Sequence, residues 1–278
     1  MTIVQTVILG IIEGITEFLP ISSTGHLILI SKILGITDSD FLKSFEIIIQ
    51  FGAILAVVVL YWRKLVPPLK DFSSFTNSIE LVNKVNLWKR IITAFIPTAI
   101  VGFLGYKVLK TFLLSSDIIV VWSLALGGVV LIAFELWNKS KSLGVAQNNA
   151  GSISYKKSFL IGLAQSLAII PGVSRSGATI VGGMAMGISR EAIVEFSFLL
   201  AVPTMAMASG YDFLKSGASF TGNEFALLAL GFVISFLVAM LAIKWFLKYV
   251  INHSFIYFGI YRIAVAFLFW LFVIQLHW

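Results

Sequence analysis

An all-α polytopic membrane protein is the fold class this sequence predicts, and three observations carry it. The 278-residue chain is 59% hydrophobic and 12% charged, about half the charge of an ordinary soluble domain, and its mean hydropathy is +0.99. Apolar stretches near residues 41–62, 91–109, 117–137, 192–213, 225–247 and 255–277 each reach or approach the roughly 20 residues that cross a bilayer. Two further apolar segments are interrupted in their middles by polar loops containing Gly and Pro. A soluble globular domain is excluded, and residues 1–278 read as a single integral membrane domain.

Residues 2–35 form the first interrupted segment, broken by Pro20-Ile21-Ser22-Ser23-Thr24-Gly25-His26. Residues 157–190 form the second, broken by Pro171-Gly172-Val173-Ser174-Arg175-Ser176-Gly177. Each break leaves apolar pieces too short to span. Two half-helices joined by a polar loop at membrane depth make a re-entrant hairpin, tolerated only where protein or a water-filled cavity satisfies the exposed backbone. Shifting the chain on itself by 152 residues superposes Gly10 on Gly162, Glu13 on Gln165, Ser22 on Ser174, Gly25 on Gly177 and Ile28 on Ile180. Each half then reads as one re-entrant helix hairpin plus three transmembrane helices, repeat one over about 1–138 and repeat two over about 155–278. A hairpin returns the chain to its starting side and three spans do not, so the second half starts on the opposite face. That is an inverted-topology repeat, in which paired interrupted segments point to the binding site.

Twenty Lys and Arg against thirteen Asp and Glu give a net charge of +7, but the basic residues sit at span ends and form no stripe of the kind that binds nucleic acid. They report topology instead. Thirteen lie on the side of the 63–90 and 138–157 loops, five on the other, and Arg175 and Arg262 fall inside apolar segments. The richer side is expected to be cytoplasmic, which puts both termini and the mouth of the first hairpin outside. The absence of cysteine removes disulfides, thiolate metal sites and a cysteine nucleophile. With no basic residue before Lys32, and with Glu13 and Glu17 present, the N-terminus lacks the n-region of a cleaved signal peptide and is expected to belong to the mature fold.

Glu13 and Glu17 lie four apart on a half-helix, so both carboxylates project from one face and can converge. Carboxylates at membrane depth mark a pair or a function; these two can bind a divalent cation, or one can be kept protonated by the other as a general acid. Ser22, Ser23, Thr24, Gly25 and His26 supply hydroxyls, a permissive glycine and an imidazole before the next half-helix, whose N-terminus favours an anion. One of Ser22 and Thr24 can be a plain N-cap. Arg175 in an apolar run must find an anion, either a phosphate with Ser174, Ser176 and Thr179 assisting, or Glu13 or Glu17 in a buried pair. Arg262, Glu46 and Gln50 are expected to serve interhelical bonding, His253 and His277 to be interfacial, and Trp62, Trp88, Trp137 and Trp278 to anchor the membrane belt. Acid/base groups facing a cation suit phosphoryl chemistry on a membrane-resident molecule.

The run Glu13-Gly14-Ile15-Thr16-Glu17-Phe18-Leu19-Pro20-Ile21-Ser22-Ser23-Thr24-Gly25-His26 and the run Pro171-Gly172-Val173-Ser174-Arg175-Ser176-Gly177-Ala178-Thr179 resemble the two motifs of the bacterial undecaprenyl pyrophosphate phosphatases, the bacitracin-resistance family. The likeness extends over essentially the whole chain. It implies an integral hydrolase of the bacterial plasma (inner) membrane, with its active site facing outside, that removes the terminal phosphate of undecaprenyl pyrophosphate. The product is the carrier lipid of peptidoglycan synthesis. Dependence on a divalent cation, magnesium or calcium, held by Glu13 and Glu17 is also implied, as is lowered bacitracin sensitivity. Carried over residue by residue, the family's catalytic set falls on Glu13, Glu17, Ser23, His26 and Arg175, with Ser22, Thr24, Gly25, Ser174, Ser176 and Thr179 binding substrate. In the mechanism these residues suggest, Ser23, or a water activated by His26, attacks the terminal phosphorus. The partners are then the lipid substrate and membrane lipid, with a homodimer among the allowed assemblies and no nucleic acid. The competing class is a transporter or flippase of a lipid phosphate, because inverted repeats with broken helices are frequent in transporters.

Overall fold

The first fourteen-residue helix, α1 (Ile3–Thr16), is closed at its start by a reciprocal cap in which Thr2 and Gln5 bond each other's backbone. At 1.5 Å per residue it is about 21 Å long, short of a bilayer's roughly 30 Å core. The chain turns through residues 17–22 and returns as α2 (Ser23–Ile33). The computed structural model describes residues 1–66, 79–108, 116–140, 150–216 and 220–271, and every regular element among them is helical. After α2 come α3 (Asp40–Leu60), the single turn α4 (Trp62–Leu65), α5 (Ile79–Val108) and α6 (Asp117–Ser140). A second short pair follows, α7 (Tyr155–Ser166) and α8 (Arg175–Ala185), and then α9 (Arg190–Ser216), α10 (Gly222–Asn252) and α11 (Ile256–Phe269).

Among the described residues five helices are long and apolar enough to cross a membrane, α3, α5, α6, α9 and α10. The sixth expected span, 255–277, begins as α11, a shorter apolar helix of fourteen residues, and residues 272–278 lie outside the described residues. Two boundaries differ from expectation. The 63–90 segment expected as a loop is partly helical, because α4 follows α3 directly and α5 starts at Ile79. Hydropathy locates only the apolar part of a helix, and α5 carries Lys84, Lys89 and Arg90 on turns that precede its apolar part. His277 and Trp278 lie outside the described residues.

Short helices lean on long ones. α1 packs along α10, α7 packs along α5, α3 meets α9 and α6 meets α11. Two of these crossings are made close by glycine. A Cβ at Gly10 would lie 3.0 Å from the Gly231 carbonyl on α10, and a Cβ at Gly162 would lie 2.0 Å from the Ala94 carbonyl on α5. Small residues that let backbones approach are how helices gain van der Waals contact when lipid supplies no hydrophobic drive. The central core joins the α1–α2 tip (Phe18, Leu19, Ile21) to α3, α9 and α10, so the first tip is held by packing on long helices.

Candidate active site

Both hairpin tips are built alike. Ser22 and Ser174 are the only non-glycine residues with positive φ among those described, at 70° and 45°. Each is an N-cap, its hydroxyl accepting from the N–H three residues on, Gly25 or Gly177. A serine held in that sparsely populated region stores strain of the kind found at functional sites. The capping leaves the residue after each serine at the mouth of its half-helix, and these first helical residues are Ser23 and Arg175.

The tips touch. Ser176 donates to the Leu19 carbonyl at 2.7 Å, across the gap between hairpins. Arg175 reaches through its two terminal nitrogens to the Glu17 carboxylate at 2.9 Å and the Ser197 carbonyl of α9 at 2.8 Å. The other oxygen of Glu17 accepts from the Ser23 hydroxyl at 2.6 Å. One buried carboxylate therefore joins the hydroxyl of one tip to the guanidinium of the other. Between them lies a polar cavity of about 80 Å³, lined by Glu17, Ser22, Ser23, Thr24, Ser174 and Arg175 and closed by Gln50, Met205 and the 168–172 turn. Gln50 was expected to bond between helices; the structure puts it on this wall.

Glu13 lies one turn behind Glu17, fully buried, and among the described residues no donor reaches either carboxylate oxygen. Its counterpart in the second hairpin, Gln165, has partners instead, with Thr98 and Thr204 accepting from its amide. Two orphaned oxygens beside a second carboxylate fit a divalent cation, which prefers oxygen ligands. Among the described residues no third His, Cys, Asp or Glu completes a cage. That donor set suits a cation that keeps waters and takes substrate phosphate oxygens, as magnesium does.

The remaining sequence candidates sit off the cavity wall. His26 donates through Nδ1 to the Ser22 carbonyl at 2.8 Å, and its Nε2 lies 2.8 Å from the Tyr261 hydroxyl. A carbonyl only accepts, so the proton of the neutral ring is on Nδ1 and Nε2 accepts from Tyr261. The imidazole thus braces the strained cap from behind; Glu17, not His26, is the group in contact with Ser23. Ser176 joins the tips, Thr179 bonds back to the Arg175 carbonyl at 2.8 Å, and Gly25 packs where a Cβ would meet Leu124.

Residues 6–268 match the family described as bacitracin resistance protein BacA. The chain belongs to the BacA family. It is 52% identical to the undecaprenyl-diphosphatase of Aquifex aeolicus over 96% of both chains. Against the undecaprenyl-diphosphatase of Sulfurihydrogenibium sp. it is 51% identical over 98% of this chain and 99% of the relative. The corresponding protein of Persephonella marina is 50% identical over 99% of this chain and the relative's whole length.

In this BacA chain one residue near the site escaped sequence reasoning and another was given a different role. Tyr261, the partner of His26, lies 235 residues away on α11; only its place beside an intramembrane arginine hinted at it. Gln50 was noticed as polar, but only tertiary packing turns it to the cavity.

Proposed function

We propose that this chain is an undecaprenyl pyrophosphate phosphatase, a membrane hydrolase that regenerates the undecaprenyl phosphate carrier, with Ser23 as nucleophile and Glu17 as its base. The observation that carries the reading is the position of Glu17, hydrogen-bonded at once to the Ser23 hydroxyl and the Arg175 guanidinium. A transporter needs the cation but no base on a hydroxyl.

In this reading the prenyl tail stays in hydrocarbon and the pyrophosphate enters between the tips. Its charge draws Arg175 towards the phosphate oxygens, and the two half-helix N-termini add N–H donors. Release of Arg175 frees the Glu17 carboxylate to act on the hydroxyl it already accepts from. Glu17 takes the Ser23 proton as Oγ bonds to the terminal phosphorus. The bond from that phosphorus to the bridging oxygen breaks, and undecaprenyl phosphate leaves with the electron pair. The protonated Glu17 returns its proton to the departing phosphate, then accepts one from the water that attacks the phosphoserine; as the phosphorus–Oγ bond breaks, Glu17 gives that proton to Ser23 Oγ, and inorganic phosphate departs. Arg175 stabilises the charge on the equatorial oxygens in both steps. A divalent cation held by Glu13 and Glu17 would supply charge neutralisation at the phosphate oxygens.

The repeat reading is supported by the matching tips and by the exchange of partners, α1 on α10 and α7 on α5. The thirteen-to-five division of basic residues supports an outward-facing site. Phosphate release by purified, detergent-solubilised protein tests the reading, since a micelle has no sides and a transporter needs no hydrolysis. Steady release from undecaprenyl pyrophosphate with added magnesium is expected. A folded, magnesium-supplied preparation that binds the lipid and releases no phosphate overturns it.

A further inference from the structure

Arg262 is 2% exposed on α11, and among the described residues no carboxylate is paired with it. Among the described residues its guanidinium bonds only to backbone carbonyls. Nε donates to Leu124 at 3.2 Å, Nη1 to Pro20 at 3.2 Å, and Nη2 to Ser123 at 2.9 Å and Gly172 at 2.8 Å. Leu124 and Ser123 belong to α6; Pro20 and Gly172 belong to the two tips. Pro20 and Gly172 are separated by 152 residues, the repeat offset, and each lies two residues before its positive-φ serine cap. One planar fork therefore grips the same carbonyl of both hairpins. α6 leaves the room for it. A Cβ at Gly127 would stand 2.0 Å from Nη2 and 2.5 Å from the guanidinium carbon. A buried cation without a counter-ion is costly and is retained only where its bonds define a geometry.

We propose that Arg262 is a positioning residue for the reaction: its guanidinium fixes the register of the two tips, and so holds Arg175 against Glu17, the carboxylate that also bonds Ser23. The inference rests on the hydrolase reading above. Arg262 does not line the cavity, so its effect on turnover passes through the tips. The grip needs a rigid two-pronged donor. An ammonium is a point charge and cannot span two carbonyls held by the separate nitrogens of a guanidinium.

Arg262→Lys and Arg262→Gln separate register from charge. Both are expected to lower kcat at least tenfold while KM changes less than threefold. A second readout bypasses activity. A Cβ at Gly177 would lie 3.5 Å from the Pro20 Cβ, within the span of a disulfide, and the chain has no other cysteine. The pair Pro20→Cys with Gly177→Cys should therefore cross-link on mild oxidation. Adding Arg262→Gln should slow that closure several-fold. Should the Arg262 variants fail to fold, Gly127→Ala tests the same point, because it favours the helix while pushing the fork off its carbonyls; turnover should fall and closure should slow. Arg262→Lys with near-normal kcat would assign the residue a charge role and overturn the proposal. So would unchanged kcat and unchanged closure in the Gln or Ala variants. Failure of the hydrolase reading looks different, since the unsubstituted protein would then release no phosphate.

Discussion

Replacing Glu17 by Gln changes one atom and removes the one property the mechanism needs from it. The carboxylate accepts from Ser23 at 2.6 Å and from Arg175 at 2.9 Å. An amide of the same size can still accept from Ser23, but it cannot take the proton. General-base assistance is worth about 10²–10⁴ in rate, so kcat should fall by about two to four decades, roughly 3–5 kcal/mol of barrier. Stability should fall as well. Breaking a buried ion pair from one side costs about 3–5 kcal/mol, and the Ser197 carbonyl, which keeps hold of Arg175, brings the cost towards the lower end. The assay is initial phosphate release at saturating lipid and magnesium, at a temperature where thermal unfolding shows the variant folded. KM for the lipid should change less than kcat, because Arg175 remains to bind the phosphate. Folded Glu17→Gln within tenfold of the unsubstituted kcat would refute the assignment of Glu17 as base.

Arg175→Lys should lose one of two charge-assisted bonds, about 1.5–3 kcal/mol or one to two decades in kcat/KM, if these are made mainly in the transition state; near-normal kinetics would mark Arg175 as a structural counter-ion. Ser23→Ala should lose several decades, whereas a hydroxyl that merely binds would cost about tenfold, and the same phosphate-release assay distinguishes the two. Gly162→Leu, on a crossing where even a Cβ would stand 2.0 Å from the Ala94 carbonyl, should force α7 off α5 and lower the melting temperature through overpacking of at least about 1–3 kcal/mol. A cysteine introduced at Ser140, the last residue of α6, should be shielded from impermeant thiol reagents in intact cells; ready labelling there would reverse the orientation.

The helical membrane fold was legible because lipid enforces it. Spans of about 20 apolar residues and polar interruptions at fixed places leave few other readings. The cap at Ser22 was legible for the same reason, since a serine before a half-helix caps it wherever the chain packs; Ser174 was expected at the ligand, and its role as the cap of α8 was not read. What escaped depends on contacts between distant segments. Sequence spacing put His26 within reach of Ser23, yet helical rise and the strained cap turn the ring back to the Ser22 carbonyl, and Glu17 takes the hydroxyl instead. Thr179, one turn beyond Arg175, was expected at the ligand; on a helix its hydroxyl is closer to the carbonyl four residues earlier, and it bonds there. Arg262 was expected to join helices and does, but no spacing rule relates it to Pro20 and Gly172.

The stereochemical course at the terminal phosphorus tests the central claim most directly. A substrate whose terminal thiophosphate is made chiral with oxygen isotopes, hydrolysed in water of the third isotope, reports how many displacements occur at phosphorus, whichever step is slow. Attack by Ser23 followed by attack of water gives two inversions, so the account requires net retention of configuration. Net inversion would mean a single displacement by water and would contradict it.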